Sequence, residues 1–505
     1  MKRLITLAFA ASMLAGPMLA GHAGAQTTLR IGLAEDPDVM DPTTARTFVG
    51  RIVFSSICDK LLDIDKDQKL IPQLATEWAW SDDQKQLTMK LRPNVKFHDG
   101  EPMDAAAVKY SLERHLNFPG SRRKGEISQI TAITVVDPLT VRIDLSVPFA
   151  PLLAQFTDRA GMIMSPKAAQ AMGDKFGSAP VCAGPYKWVE RVQQDRIVVE
   201  RFADYWDKAN IHFDRIVYQP VIDATVRLAN LQSGQLDLVE RVAATDVEAV
   251  KKNNRLRLVQ ATELGYLGLS FNIANGDRAK TPLGQDPRVR RAIELAIDRD
   301  ILNQVAFEGL FKAGNQWVSP ESPWYVKSMP APKRDVTRAK QLLKEAGVPN
   351  LSFTANLPSG SENAQVAQII QAMLQEAGID MKLRTVEFAT SLQMAAKGDF
   401  EAYFIGWSGR VDPDGNIWTF NSCEAAQNDG RYCNPEMDRW LKEARSTNDR
   451  ERRMAAYEQA MKIHQADMPR VYLYHRTWFY GLSTKLQGFQ APPDGLVRVQ
   501  GLKAG

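Results

Sequence analysis

The residues best able to do chemistry lie together in EAYFIGWSGRVDPDGNIW, Glu401 to Trp418. Arg410 offers a planar guanidinium fork that suits a carboxylate or phosphate and repels an ammonium. Asp412, two residues on, could reach a cation; the plainer alternative is that Arg410 pairs with Asp412 or Asp414. Trp407 and Trp418 bracket this charged loop, and with Trp317 they are expected pocket walls, since aromatic side chains suit small-molecule sites. All of this points to recognition rather than catalysis. The chain has no GxSxG elbow, HExxH helix, Walker loop or GxGxxG turn. His98, His115, His212, His464 and His475 stand singly, so no catalytic, metal or cofactor site is expected.

A loop of this kind needs a strand to carry it and a sheet to hold the strand. Ala402–Trp407 is a short apolar run that reads as a buried strand, and the turn formers after it mark a loop at its carboxyl end. Upstream, Leu351–Leu357 and Met381–Phe388 read as strands. Helical stripes at 336–346, 363–377 and 391–397 alternate with them. Two successive βαβ units imply parallel strands, and ligands in open α/β sheets bind beyond the strands' carboxyl ends. Asp286 caps a further helix with Pro287 at its first position. Thr27–Leu33 alternates as the first strand, and the Met40–Thr47 loop that follows is the expected contribution of the chain's first half.

Lys2 and Arg3, the apolar run Leu4–Ala20 and Ala23-Gly24-Ala25 make residues 1–25 a secretory leader, with cleavage expected before Gln26. No cysteine follows that site, so a lipid anchor is not expected, and the mature chain is expected in a bacterial periplasm. Without Lys2 and Arg3 the formal charge falls from +4 to +2, which gives no electrostatic footprint for nucleic acid. In an oxidising compartment the four cysteines should pair. Cys423 and Cys433 flank a short polar loop, which leaves Cys58 with Cys182. No histidine pair near them supports the alternative of a metal site.

From Ala75 the text ATEWAWSDDQKQLTMKLRPNVKFHDGEPMDAAAVKYSLER becomes specific. Through Ala75, Trp78, Asp82, Leu91, Arg92, Val95, Phe97, His98, Asp99, Gly100, Pro102 and Val108 it closely resembles the signature of family 5 extracellular solute-binding proteins. These are the peptide- and nickel-binding receptors of ATP-binding cassette importers. VCAGPYKW at Val181–Trp188, RLANLQSGQLDLVE at Arg227–Glu240 and PRVRRAIELAIDRD at Pro287–Asp300 extend the likeness, with Cys182 and Ala183 departing from it. The resemblance implies a two-lobed α/β fold with a hinge and central cleft. Lobe one would span 26–268 and be rejoined by 477–505; lobe two would span 269–476. Crossings are expected near Tyr266–Asn272 and Tyr472–Phe479. It also implies a monomer that hands a small-molecule or peptide solute to inner-membrane permease subunits.

Two departures bear on the solute. Peptide-binding members place an Asp after the Trp to hold the ligand's ammonium, where this chain has Arg410. Dipeptide binders carry an Arg after the strand equivalent to Leu351–Leu357, where this chain has PSGSEN, Pro358 to Asn363. An acidic ligand, whether a glutathione-like peptide, an opine-like conjugate or a sugar acid, therefore fits at least as well as a dipeptide. A periplasmic holdase and a metal- or haem-chelate receptor are the alternatives.

Overall fold

The structure, a computed structural model, describes residues 27–491 and 493–505. The expected leader and its cleavage site lie outside the described residues. Two large sheets organise the chain. The first has seven strands in the order Leu256–Thr262, Thr477–Ser483, Leu238–Val239, Thr28–Leu33, Arg215–Pro220, Arg196–Arg201 and Tyr186–Val192. An antiparallel four-stranded sheet, Ala75–Trp80, Gln86–Leu91, Thr140–Leu145 and Ile130–Asp137, packs a core of its own in the same half.

The second large sheet has six strands: Lys312–Ala313, Arg470–His475, Tyr266–Phe271, Ala402–Trp407, Leu351–Pro358 and Ile379–Val386. Leu351–Pro358 runs parallel to both Ile379–Val386 and Ala402–Trp407, as the alternating strand and helix signals predict. Helix Ser361–Glu376 makes the first crossover and buries Val366, Ala367, Ile370 and Leu374 against the sheet. Burial of each of the valine, isoleucine and leucine side chains is worth about 1.5–3 kcal/mol. Asp286 accepts from Arg288 N, and helix Pro287–Ala296 sinks Val289, Ala292 and Ile293 into the same core.

The chain passes between the two sheets twice. It leaves the first sheet at Thr262 and enters the second at Tyr266, with only Glu263–Gly265 between. It returns across the single residue Arg476, between His475 and Thr477. The first passage thus sits just ahead of the expected span, because Tyr266–Phe271 is already paired within the second sheet. The two crossings are tied together: Glu263 N donates to Arg476 O at 2.9 Å, and Arg476 N donates to Glu263 Oε1 at 3.0 Å. Gly265 has no room for a side chain, since a Cβ there would lie 1.6 Å from Trp407 O. Both expected cysteine pairs, Cys58–Cys182 and Cys423–Cys433, are disulfide bonded.

Candidate functional site: the cavity between the lobes

Strand ends from both sheets meet around a cavity of about 360 Å³. Ala34 and Glu35 line it from just beyond Thr28–Leu33, and Gly406, Trp407 and Ser408 line it from the end of Ala402–Trp407. Most of its charges are already matched. Glu35 accepts from Arg241 at 2.5 Å, Arg476 pairs with Glu362 at 2.9 Å, and Arg46 reaches Asp429 on the opposite lobe at 3.1 Å.

Arg470 differs. Its side chain lines the cavity, and the residue is only 8% exposed. Nε donates to Ser270 Oγ at 2.7 Å and Nη1 donates to Tyr266 Oη at 2.5 Å. Both acceptors are neutral: burial pushes the Tyr266 hydroxyl up to about 12 although Arg470 pulls the other way. The rings of Tyr266 and Phe420 lie 5.2 and 5.3 Å from the guanidinium carbon. That leaves a desolvated cation, held in place by neutral acceptors and aromatic faces, with no carboxylate among its hydrogen-bond partners. Asn421 and Gln427 also line the cavity.

Of the residues expected to contact ligand, Trp407 lines the cavity, its Nε1 donating to Asn416 Oδ1 at 3.0 Å. The others do not. Gly409, at φ +81°, turns the chain, and Arg410 N bonds Asn416 Oδ1 at 2.7 Å, so Arg410 points at the first lobe instead. There its Nε lies 2.7 Å from Asp158, so its partner is neither Asp412 nor Asp414, and its guanidinium carbon is 4.2 Å from the Trp407 ring centre. Burial pushes Arg410 down to about 10, with Asp158 resisting. Burial alone would raise the Asp158 carboxyl, but the Arg410 and Arg51 charges hold it well below the usual carboxylate range.

Asp412 faces away to Arg453 at 2.7 Å. Trp418 is covered by Arg445 at 3.8 Å, itself paired with Asp414. Trp317 is 1% exposed and packs beside Tyr457 and His464 as core. Met40 is fully buried, and Thr47 Oγ1 donates to Asp38 at 2.9 Å; their neighbours Arg46 and Phe48 line the cavity in their place.

The lobes touch beyond the cavity as well. Arg51 Nη1 donates to Ser408 Oγ at 2.8 Å, Arg122 to Ala426 O at 3.1 Å, and Ala150 N to Arg445 O at 3.0 Å. Two α/β lobes, a paired double crossing and a cavity closed over by cross-lobe ion pairs define a two-lobed solute-binding protein. The model of the bacterial extracellular solute-binding proteins, family 5, matches residues 69–428, and the chain belongs to that family.

Its relatives include the glutathione-binding protein GsiB of Pectobacterium atrosepticum, 32% identical over 98% of this chain and 96% of that one. GsiB of Salmonella typhimurium is 30% identical over the same shares. Among solved structures, AgaA of A. tumefaciens R10 in complex with agropinic acid is similar at a TM-score of 0.85 and 28% identity, covering 95% of this chain and 99% of its own. DppA of Helicobacter pylori with the peptide STSA is similar at a TM-score of 0.87 and 26% identity, covering 95% and 98%. The chain is a solute-binding receptor, and no described helix is long and apolar enough to cross a membrane.

Proposed function

We propose that this receptor captures a small anionic, peptide-like solute in the periplasm and delivers it to the permease of an ATP-binding cassette importer. The carrying observation is Arg470, a buried guanidinium turned into the cavity with only neutral partners. A charge so placed is costly until an anion joins it. The similar proteins that bind glutathione and agropinic acid both take acids, which supports the reading. The charged lining also suits a polar solute better than the unfolded segments a holdase would bind. The passages at Glu263–Gly265 and Arg476 are the natural hinge, and Arg410–Asp158 and Arg46–Asp429 the contacts made on closing. Ligand then closes the lobes by binding the closed form more tightly than the open one.

Two measurements test this. Native mass spectrometry of protein purified without unfolding should find an occupant bearing a carboxylate or phosphate; a neutral or cationic occupant refutes the proposal. Arg470→Met should weaken that occupant's binding in calorimetry by about 10- to 150-fold, the worth of a charge-assisted hydrogen bond of about 1.5–3 kcal/mol. A change under about twofold on this scale refutes it equally.

A further inference from the structure

We infer that disulfide Cys423–Cys433 is a positioning element for solute capture: it fixes the loop between its cysteines as the clasp by which the second lobe holds the first shut. This rests on the lobe-closure reading above and not on the charge of the solute. Residues 422–434 form neither helix nor strand, yet they meet the first lobe at two points. Arg46 Nη2 donates to Asp429 Oδ2 at 3.1 Å, and Arg122 Nη1 donates to Ala426 O at 3.1 Å. The same loop walls the cavity through Gln427, Asn428, Asp429, Gly430 and Tyr432. Wall and clasp are one segment, so whatever loosens it loosens both the solute's surroundings and the grip on the first lobe.

A loop without regular structure keeps one shape only where other contacts offset its ordering entropy. On its inner side, Gly430 O accepts from Ile273 N and Ala274 N, and Asn275 Nδ2 donates to Asp429 O at 2.8 Å. Within it, Asn428 Nδ2 donates to Ser422 O at 3.0 Å and to Tyr432 O at 2.6 Å, which draws the two ends together around one side chain. The disulfide closes those ends covalently. Cys58–Cys182 is the contrast. Both of its cysteines are buried in the first lobe's core, and neither lines the cavity. It spans 124 residues against 10, so by chain entropy it should hold the larger share of stability. One bridge serves the fold; the other serves the closing of the lobes.

The test is calorimetry on the full chain with S-methylglutathione, a probe without a free thiol to exchange with the disulfides, beside small-angle scattering with and without it. The Cys423→Ser/Cys433→Ser protein should bind the probe about tenfold more weakly and show a more open average shape. The Cys58→Ser/Cys182→Ser protein should match the unaltered one in both. Asp429→Ala should lose about fivefold alone and little more once Cys423 and Cys433 are replaced, because the disulfide acts by placing Asp429. Additive losses overturn the inference, as do equal losses from the two bridges or a Cys423→Ser/Cys433→Ser protein unchanged in affinity and shape. Scattering needs no bound probe, so it decides if S-methylglutathione gives no heat. Arg410→Met, which cuts a cross-lobe contact outside this loop, separates the two readings. If it opens the lobes where the loop variants do not, closure stands and the clasp fails; if it too changes nothing, closure itself fails. Thermal unfolding checks each fold. Should the Cys423→Ser/Cys433→Ser protein be unstable, Asp429→Ala decides alone, since it leaves both disulfides in place.

Discussion

Replacing Arg410 with methionine asks whether charge locks the two lobes together. The Arg410–Asp158 contact is 2.7 Å long, with the two side chains 5% and 2% exposed, and it joins the second lobe to the first. Asp158 would not be stranded by the change, because Arg51 grips it at 2.9 Å from its own lobe. The loss is therefore one close ion pair, about 2 kcal/mol, rather than the larger penalty of an orphaned buried charge. Stacking of Arg410 on Trp407 lies within one lobe and survives opening, so it does not enter the balance. A loss of about 2 kcal/mol confined to the closed form weakens ligand binding about 30-fold. Since neither Arg410 nor Asp158 lines the cavity, that factor should be the same for every ligand. Calorimetry with an acidic and a neutral solute measures it, and small-angle scattering should show a more open average shape. Undiminished affinity, or a loss confined to the acidic solute, would refute the reasoning.

Other measurements probe the crossing and the staples. Burial pushes Glu263 up to about 7 from 4.5, with Arg476 pulling against it. A raised acid binds its proton more tightly when folded, so its contribution is full below about pH 4.5 and lost as pH rises through about 7. Glu263→Gln should remove that loss, and its stability advantage over the unaltered protein should grow across this window to at most about 3 kcal/mol; a flat difference with pH contradicts the burial argument. The disulfides should differ in weight. Cys58–Cys182 spans 124 residues and Cys423–Cys433 spans 10, so removing each should cost about 5 and about 3 kcal/mol in the chain-entropy model. Denaturant unfolding of the two Cys→Ser pairs would show the reverse order if strain or residual structure dominates.

Much of the second lobe could be read from the chain because its signals are local. Asp286 and Pro287 open a helix, and apolar stripes at 336–346 and 363–377 fall within a residue or two of the helices Val336–Glu345 and Ser361–Glu376. The strand Ala402–Trp407 has the expected bounds. The cavity lining was harder, because it depends on the direction each side chain takes after a turn. Arg410 is three residues from Trp407, yet the positive φ of Gly409 sends it to the other lobe. Trp317 and Trp418 have the right chemistry for walls, but one sits in the core and the other lies under an arginine. Arg470 did leave a trace: it is a lone charge at the head of the apolar run RVYLYH, where a strand buried throughout has no use for one. Asn421 and Gln427 left none, since polar residues around a disulfide loop are ordinary, and only the fold places them against the cavity.

The position of Thr477–Ser483 also sets the order in which the two sheets can be completed. This strand lies between Leu256–Thr262 and Leu238–Val239, inside the first sheet, yet it follows every strand of the second sheet in the chain. The six-stranded sheet uses only residues from 266 to 475 and can be completed as soon as His475 is made. The first sheet must wait with an open slot until Thr477–Ser483 arrives, so the sheet started first is the one finished last.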